Sequence, residues 1–211
     1  MTNRFVRSAA LALATVASAA LLAGCGGGDD ATSQPAAAAA FNTADVTFAQ
    51  GMLPHHVQAV EMARLAKSRA ASAEVKKLAA TILSGQEPEI EQLRQLLAQW
   101  GRSLDKSMET MTGMESMRGM PGMETMEGMS NLEATMDGMA TSGEMAELRA
   151  AKGAKFDRLF LTMMIEHHRG ALQMAKAERA DGKAPEALTL AEQIEIAQQG
   201  EIQKMQKLKN G

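Results

Sequence analysis

The chain repeats itself. Shifted by 112 residues, segment 48–99 lies over segment 160–211 without a gap, and 15 of the 52 aligned positions are identical. The identities run through Phe48/Phe160, Met52/Met164, His55/His167, His56/His168, Ala59/Ala171, Met62/Met174 and Ala63/Ala175. They continue to Leu78/Leu190, Ala79/Ala191, Ile82/Ile194, Gln86/Gln198, Glu89/Glu201 and Ile90/Ile202. Two chance amphipathic helices would not match over such a length, so the chain is read as a duplication. Whatever one copy buries, the other buries in the same register.

Each copy reads as two helices. Apolar residues recur at three–four spacing over about 43–68 and again over about 73–100. The second copy predicts helices over about 144–180 and 185–209, joined across Asp181-Gly182-Lys183-Ala184. Short connections make each pair antiparallel, and two hairpins with apolar stripes must bury them against each other. The expected fold is therefore all-α, a four-helix bundle of two repeated hairpins (residues 41–101 and 144–211) forming one domain. A long crossover linker, residues 102–143, joins them. Pro54 and Pro88 fall inside predicted helices and are expected to kink or locally disturb them. Gly200 stands opposite Pro88 in the repeat.

All four histidines of the protein sit in the two copies, as His55-His56 and His167-His168. They continue apolar stripes, and adjacent residues on a helix point about 100° apart. One of each pair should face the bundle axis and the other a neighbouring helix. Gln86, Glu89, Gln198 and Glu201 interrupt the stripes of the second helices. Burying such groups without partners costs roughly 2–7 kcal/mol each. They must bond one another, hold water or bind something. A histidine–glutamate network that fixes helix register is one reading. The other is a metal site, because Met52, Met62, Met164 and Met174 lie about a turn away. Imidazole with thioether suits copper, the cuprous ion in particular. A di-iron site is disfavoured: the chain has no Glu-x-x-His, and Glu89 and Glu201 are the only duplicated inward carboxylates.

The linker carries a second pattern. Met108, Met111, Met114, Met117, Met120, Met123, Met126 and Met129 recur at every third residue, followed by Met136, Met139 and Met145. Strict three is not the spacing of a helical core stripe, and the interspersed glycines and Pro121 oppose a continuous helix. The segment reads as low-complexity linker, as an adaptable surface for partner proteins, or as a set of thioether sites for copper(I) or silver(I). Thioethers need no deprotonation, so such sites keep working in acid.

The N-terminus reads as an export signal. Arg4 and Arg7 precede an apolar run too short to favour a permanent span, and Leu22-Ala23-Gly24-Cys25 resembles a bacterial lipobox. This predicts a signal peptide over 1–24, lipid on Cys25 (the only cysteine), and a flexible tether over 25–40. Localisation would be the periplasm or cell surface, with membrane contact through the lipid. A net charge of −3 gives no basic footprint for nucleic acid. Aromatics at 3% disfavour base stacking.

The doubled pattern F-x3-M-x2-HH-x2-A-x2-MA, each copy followed by Q-x2-EI, resembles the domain of unknown function 305 family. The resemblance implies a bundle similar to ferritin-like proteins and, for some members, copper binding and copper resistance outside the cytoplasm. It carries the family motif onto Met52, His55, His56, Met62, Gln86 and Glu89 and onto Met164, His167, His168, Met174, Gln198 and Glu201. The expected function is a lipid-anchored copper-binding protein for sequestration or tolerance, taking Cu(I) by preference and Cu(II) or Ag(I) as alternatives. A copper-efflux or oxidase protein would be the partner. No catalysis is required. The rival readings are a ferritin-like redox enzyme and a metal-free structural or adaptor bundle.

Overall fold

A computed structural model describes residues 40–103 and 136–210. Cys25, the expected leader, the expected tether up to residue 39 and the eight methionines Met108 to Met129 lie outside the described residues. Those described form five α-helices and no strand: α1 (Thr43–Arg69), α2 (Ala73–Gln99), α3 (Ser142–Ala150), α4 (Gly153–Asp181) and α5 (Pro185–Asn210). None of these is long and apolar enough to cross a membrane.

The four long helices make the bundle. α1 packs on α2, α4 on α5, and α1 on α4 through the middle; α2 and α5 meet more sparingly. α1 begins with a capping box, in which the Asn42 side chain accepts from Asp45 N–H and the Asp45 carboxylate accepts from Asn42 N–H. α2 begins on Ser72, whose hydroxyl accepts from the Glu74 and Val75 amides. α1 runs continuously through Pro54 and α2 through Pro88.

The expected single helix over 144–180 is two. α3 starts on a Thr141–Glu144 capping box and stops at Ala151. Lys152 is extended and Gly153 takes φ +63°, a left-handed backbone that a β-carbon would oppose. The break lets Met145 and Leu148 enter the core from a separate direction, while Arg149 pairs with Glu61 on α1.

The duplication extends to contacts that join the hairpins. Asp45 accepts from the amides of Lys183 (2.9 Å) and Ala184 (2.8 Å) in the α4–α5 loop. Its repeat mate Asp157 accepts from Ala71 (3.1 Å) and Ser72 (2.9 Å) in the α1–α2 loop. Each hairpin thus closes the turn of the other.

The apolar core is in two parts. One gathers Met62, Val75, Leu78, Ile82, Phe160 and Met164; the other Phe48, Met52, Leu93, Leu190 and Ile194, with Met174 packed against it. The duplication exchanges them. Met52 and Met62, ten residues apart on α1, fall in different clusters, each with the methionine of the opposite kind from α4.

Candidate metal centre

The histidines, glutamines and glutamates belong to neither apolar cluster. His55, His56 and His168 are fully buried and His167 is 1% exposed. Adjacent histidines diverge as a helix requires. His55 and His167, one from each central helix, meet ring to ring with centroids 3.7 Å apart. His56 and His168 turn to the second helix of their own hairpin. There His56 Nε2 lies 2.8 Å from Glu89 Oε2, and His168 Nε2 lies 2.7 Å from Glu201 Oε2.

The partner at one ring nitrogen defines the other. A carboxylate oxygen accepts, so His56 and His168 donate from Nε2–H. His55 Nε2 faces the backbone carbonyl of Asp137 at 3.3 Å and must donate there as well. The Nδ1 atoms of His55, His56 and His168 are left without a hydrogen-bond partner among the described residues, as are both nitrogens of His167. Both amide atoms of Gln86 and Oε1 of Gln198 share that condition. A neutral imidazole that donates one N–H to a carboxylate or carbonyl and turns the other lone pair inward is the usual state of a metal-bound histidine. Burial, helped by the neighbouring histidines, pushes His55 down to about 3 and His167 well below its ordinary value. Both are therefore neutral across the physiological range. Among the described residues no three His, Cys, Asp or Glu side chains converge as a ready cation cage. Any ion here would draw on thioether as well.

The last residues before α3 pass over this layer as a strap. Gln58 holds it with two bonds, its amide donating to the Ala140 carbonyl and its oxygen accepting from the Ala140 amide, both 2.8 Å. Gly170, the repeat mate of Gln58, lies directly beneath. A β-carbon on Gly170 would come within 1.9 Å of the Asp137 carbonyl oxygen. Gly138, at φ +83°, packs against it. Gln58 and Gly170 differ because the strap crosses only one side of the duplication. Sequence reasoning missed both, since nothing in the repeat marks them. It also missed Asp45 and Asp157, although they lie 112 residues apart like the other pairs.

Of the remaining sequence candidates, Met52, Met62 and Met164 are fully buried in the apolar clusters, while Met174 is half-buried. Met139 and Met145, the last of the linker series, are buried too.

The model of the family described as domain of unknown function (DUF305) matches residues 45–209. Among solved structures, a DUF305 protein from Streptomyces coelicolor is 30% identical with a TM-score of 0.63, covering 78% of this chain and 91% of its own. A DUF305 fragment from Deinococcus radiodurans is also 30% identical, with a TM-score of 0.63, covering 80% of this chain and 97% of its own. CopM in its Cu(II)-bound form is 30% identical with a TM-score of 0.58, covering 79% of this chain and 95% of its own. CopM has been solved with Cu(I) and with silver as well. A comparison with curated proteins gave no match.

Proposed function

This chain belongs to the DUF305 family, and on that premise we propose that it is an exported copper-binding protein that sequesters the ion for tolerance. The observation that carries the reading is the set of bare, buried Nδ1 atoms on His55, His56 and His168, each imidazole held in one tautomer by an acceptor at Nε2. Leaving several such lone pairs buried and unused is costly, and bound metal, each ion held by fewer than three of these rings together with thioether, would repay it. His55, His56, His167 and His168 would supply nitrogen, with Glu89 and Glu201 orienting two of the rings. Met52, Met62, Met164 and Met174, two on each side of the layer, would supply sulfur for Cu(I). The likeness to CopM, which binds Cu(II), Cu(I) and silver, supports the choice of metal. The Met-x-x-Met series from Met108 to Met129 would add capacity, and lipid on Cys25 would keep the protein at a membrane surface outside the cytoplasm.

The test is an anaerobic Cu(I) titration against a competing colorimetric chelator. The chain from residue 31 onward would be compared with a variant lacking residues 108–129 and with one carrying Ala at all four histidines. Binding that divides between the two variants is expected. If the parent fails to compete, the copper reading falls, and the His56–Glu89 and His168–Glu201 pairs remain as a register-fixing network.

A further inference from the structure

Gly51 lies one turn before His55 on α1, on the same side of the helix. Its repeat mate is Met163, so the duplication puts a long side chain at one position and none at the other. The space beside Gly51 is taken by sulfur-bearing groups from elsewhere in the chain. A β-carbon there would meet Met174 Sδ at 3.3 Å and Met136 Cε at 3.8 Å. Met136 comes from the strap and Met174 from α4, so the sulfur of one methionine and the ε-methyl of another, far apart in sequence, meet beside Gly51. They are also asymmetric with respect to the repeat. Met62, the mate of Met174, is sealed in the core, whereas Met174 and Met136 are only half-buried. Asp137, the residue after Met136, is the one whose carbonyl faces His55 Nε2. The spot therefore adjoins the histidine layer on one side and solvent on the other.

We propose that Met136 and Met174, beside the missing side chain of Gly51, form a two-thioether entry site for a soft monovalent cation. The ion would lodge there beside the histidine layer before passing to it. Thioether sulfur is a neutral, polarisable donor that selects Cu(I) and Ag(I) over harder ions. Two such donors on flexible side chains can close on an ion without a preformed cage. Gly51 matters because any side chain there would press on the Met174 sulfur. The inference rests on the reading of this chain as a soft-metal binder, but it assigns a site that the histidines do not supply.

The experiment uses Ag(I), which needs no reductant, added to the chain from residue 31 onward labelled at the methionine ε-methyl groups. Proton–carbon spectra resolve each methyl, and Met136→Leu and Met174→Leu assign the two of interest. The expected result is that both methyls shift together at substoichiometric silver. Met136→Leu alone, which leaves Met174 and every other donor of the histidine layer in place, should lose about one equivalent of bound ion and slow the later histidine shifts at least tenfold. Leucine keeps the apolar volume, so a loss of fold is not expected, and unchanged amide spectra would establish that. If the two methyls move only after the other methionines have saturated, or Met136→Leu binds at the parent's stoichiometry and rate, the entry site is overturned. If they move while the histidine signals never do, the entry site stands and the copper reading of the histidine layer fails.

Discussion

His55 shows how burial turns an ordinary side chain into a pH-dependent liability. Its folded pKa, about 3, lies below the usual value of 6.5, and His167 is displaced the same way. Between those limits the unfolded chain binds protons that the folded chain refuses, so stability is full above about pH 6.5 and falls as the pH drops. Each such group contributes a slope of up to about 1.4 kcal/mol per pH unit. We expect the metal-free protein to lose denaturant resistance steeply from pH 6.5 towards pH 4, and His55→Gln to flatten that fall. Glu178 works in the opposite sense. Burial, and then the Asp45 carboxylate nearby, raise its pKa to about 8. Asp45 is itself buried, yet amides from Asn42, Ala184 and Lys183 outweigh that and hold its carboxyl below the ordinary value. Above about pH 4.5 an unfolded Glu178 gives up its proton while the folded one keeps it, so its contribution falls as the pH rises to 8. Glu178→Gln should therefore gain stability relative to the parent between pH 5 and pH 8, measured by urea unfolding at both. At Gly170 the constraint is steric. Gly170→Ala must push the Asp137 carbonyl aside and is expected to cost about 1–3 kcal/mol, as overpacking does. It should also broaden the amide signals of the strap.

At the scale of elements, the two aspartates tie each hairpin to the other's turn. Removing Asp157 strands two backbone amides and removing Asp45 strands three, at a cost of about 1–3 kcal/mol for a donor left buried and unpaired. Asp45→Ala should cost more than Asp157→Ala, because Asp45 is fully buried and also closes the α1 capping box. Hydrogen exchange provides the check. The Asp157 variant should speed exchange at Ala71 and Ser72, and the Asp45 variant at Lys183 and Ala184. The helices themselves were legible from spacing, with ends within a few residues of those seen. The break between α3 and α4 was not. Residues 144–180 keep a helical apolar pattern on both sides of it, and only the left-handed backbone at Gly153 and the separate docking of Met145 and Leu148 interrupt the run. A lone glycine in a helical pattern does not announce which conformation it will take.

For the whole molecule, a ligand that binds the folded histidine layer must also stabilise it. At a free ion concentration one hundred times Kd the gain is about 2.7 kcal/mol. Cu(I) or Ag(I) should thus raise Tm in the parent, and the four-histidine alanine variant should show a smaller rise. Metal binding ordinarily weakens in acid because protons compete for the ligands. His55 and His167 are already neutral, so their share of the affinity should change little between pH 7 and pH 5; chelator competition at both pH values measures this.

The duplication by itself determined the two hairpins, their pairing into one bundle and the gathering of histidine, glutamine and glutamate at one level. It could do so because periodicity and repetition are properties of the linear chain. What only the tertiary structure decided is which ring nitrogen stays bare, which methionines share a side of the polar layer, and that the strap crosses it over Gly170. Those depend on groups brought together across 33 residues, as His56 with Glu89 and His168 with Glu201, or across 82, as Gln58 with Ala140 and His55 with Asp137. No local spacing encodes a contact whose partners are chosen by how the helices pack.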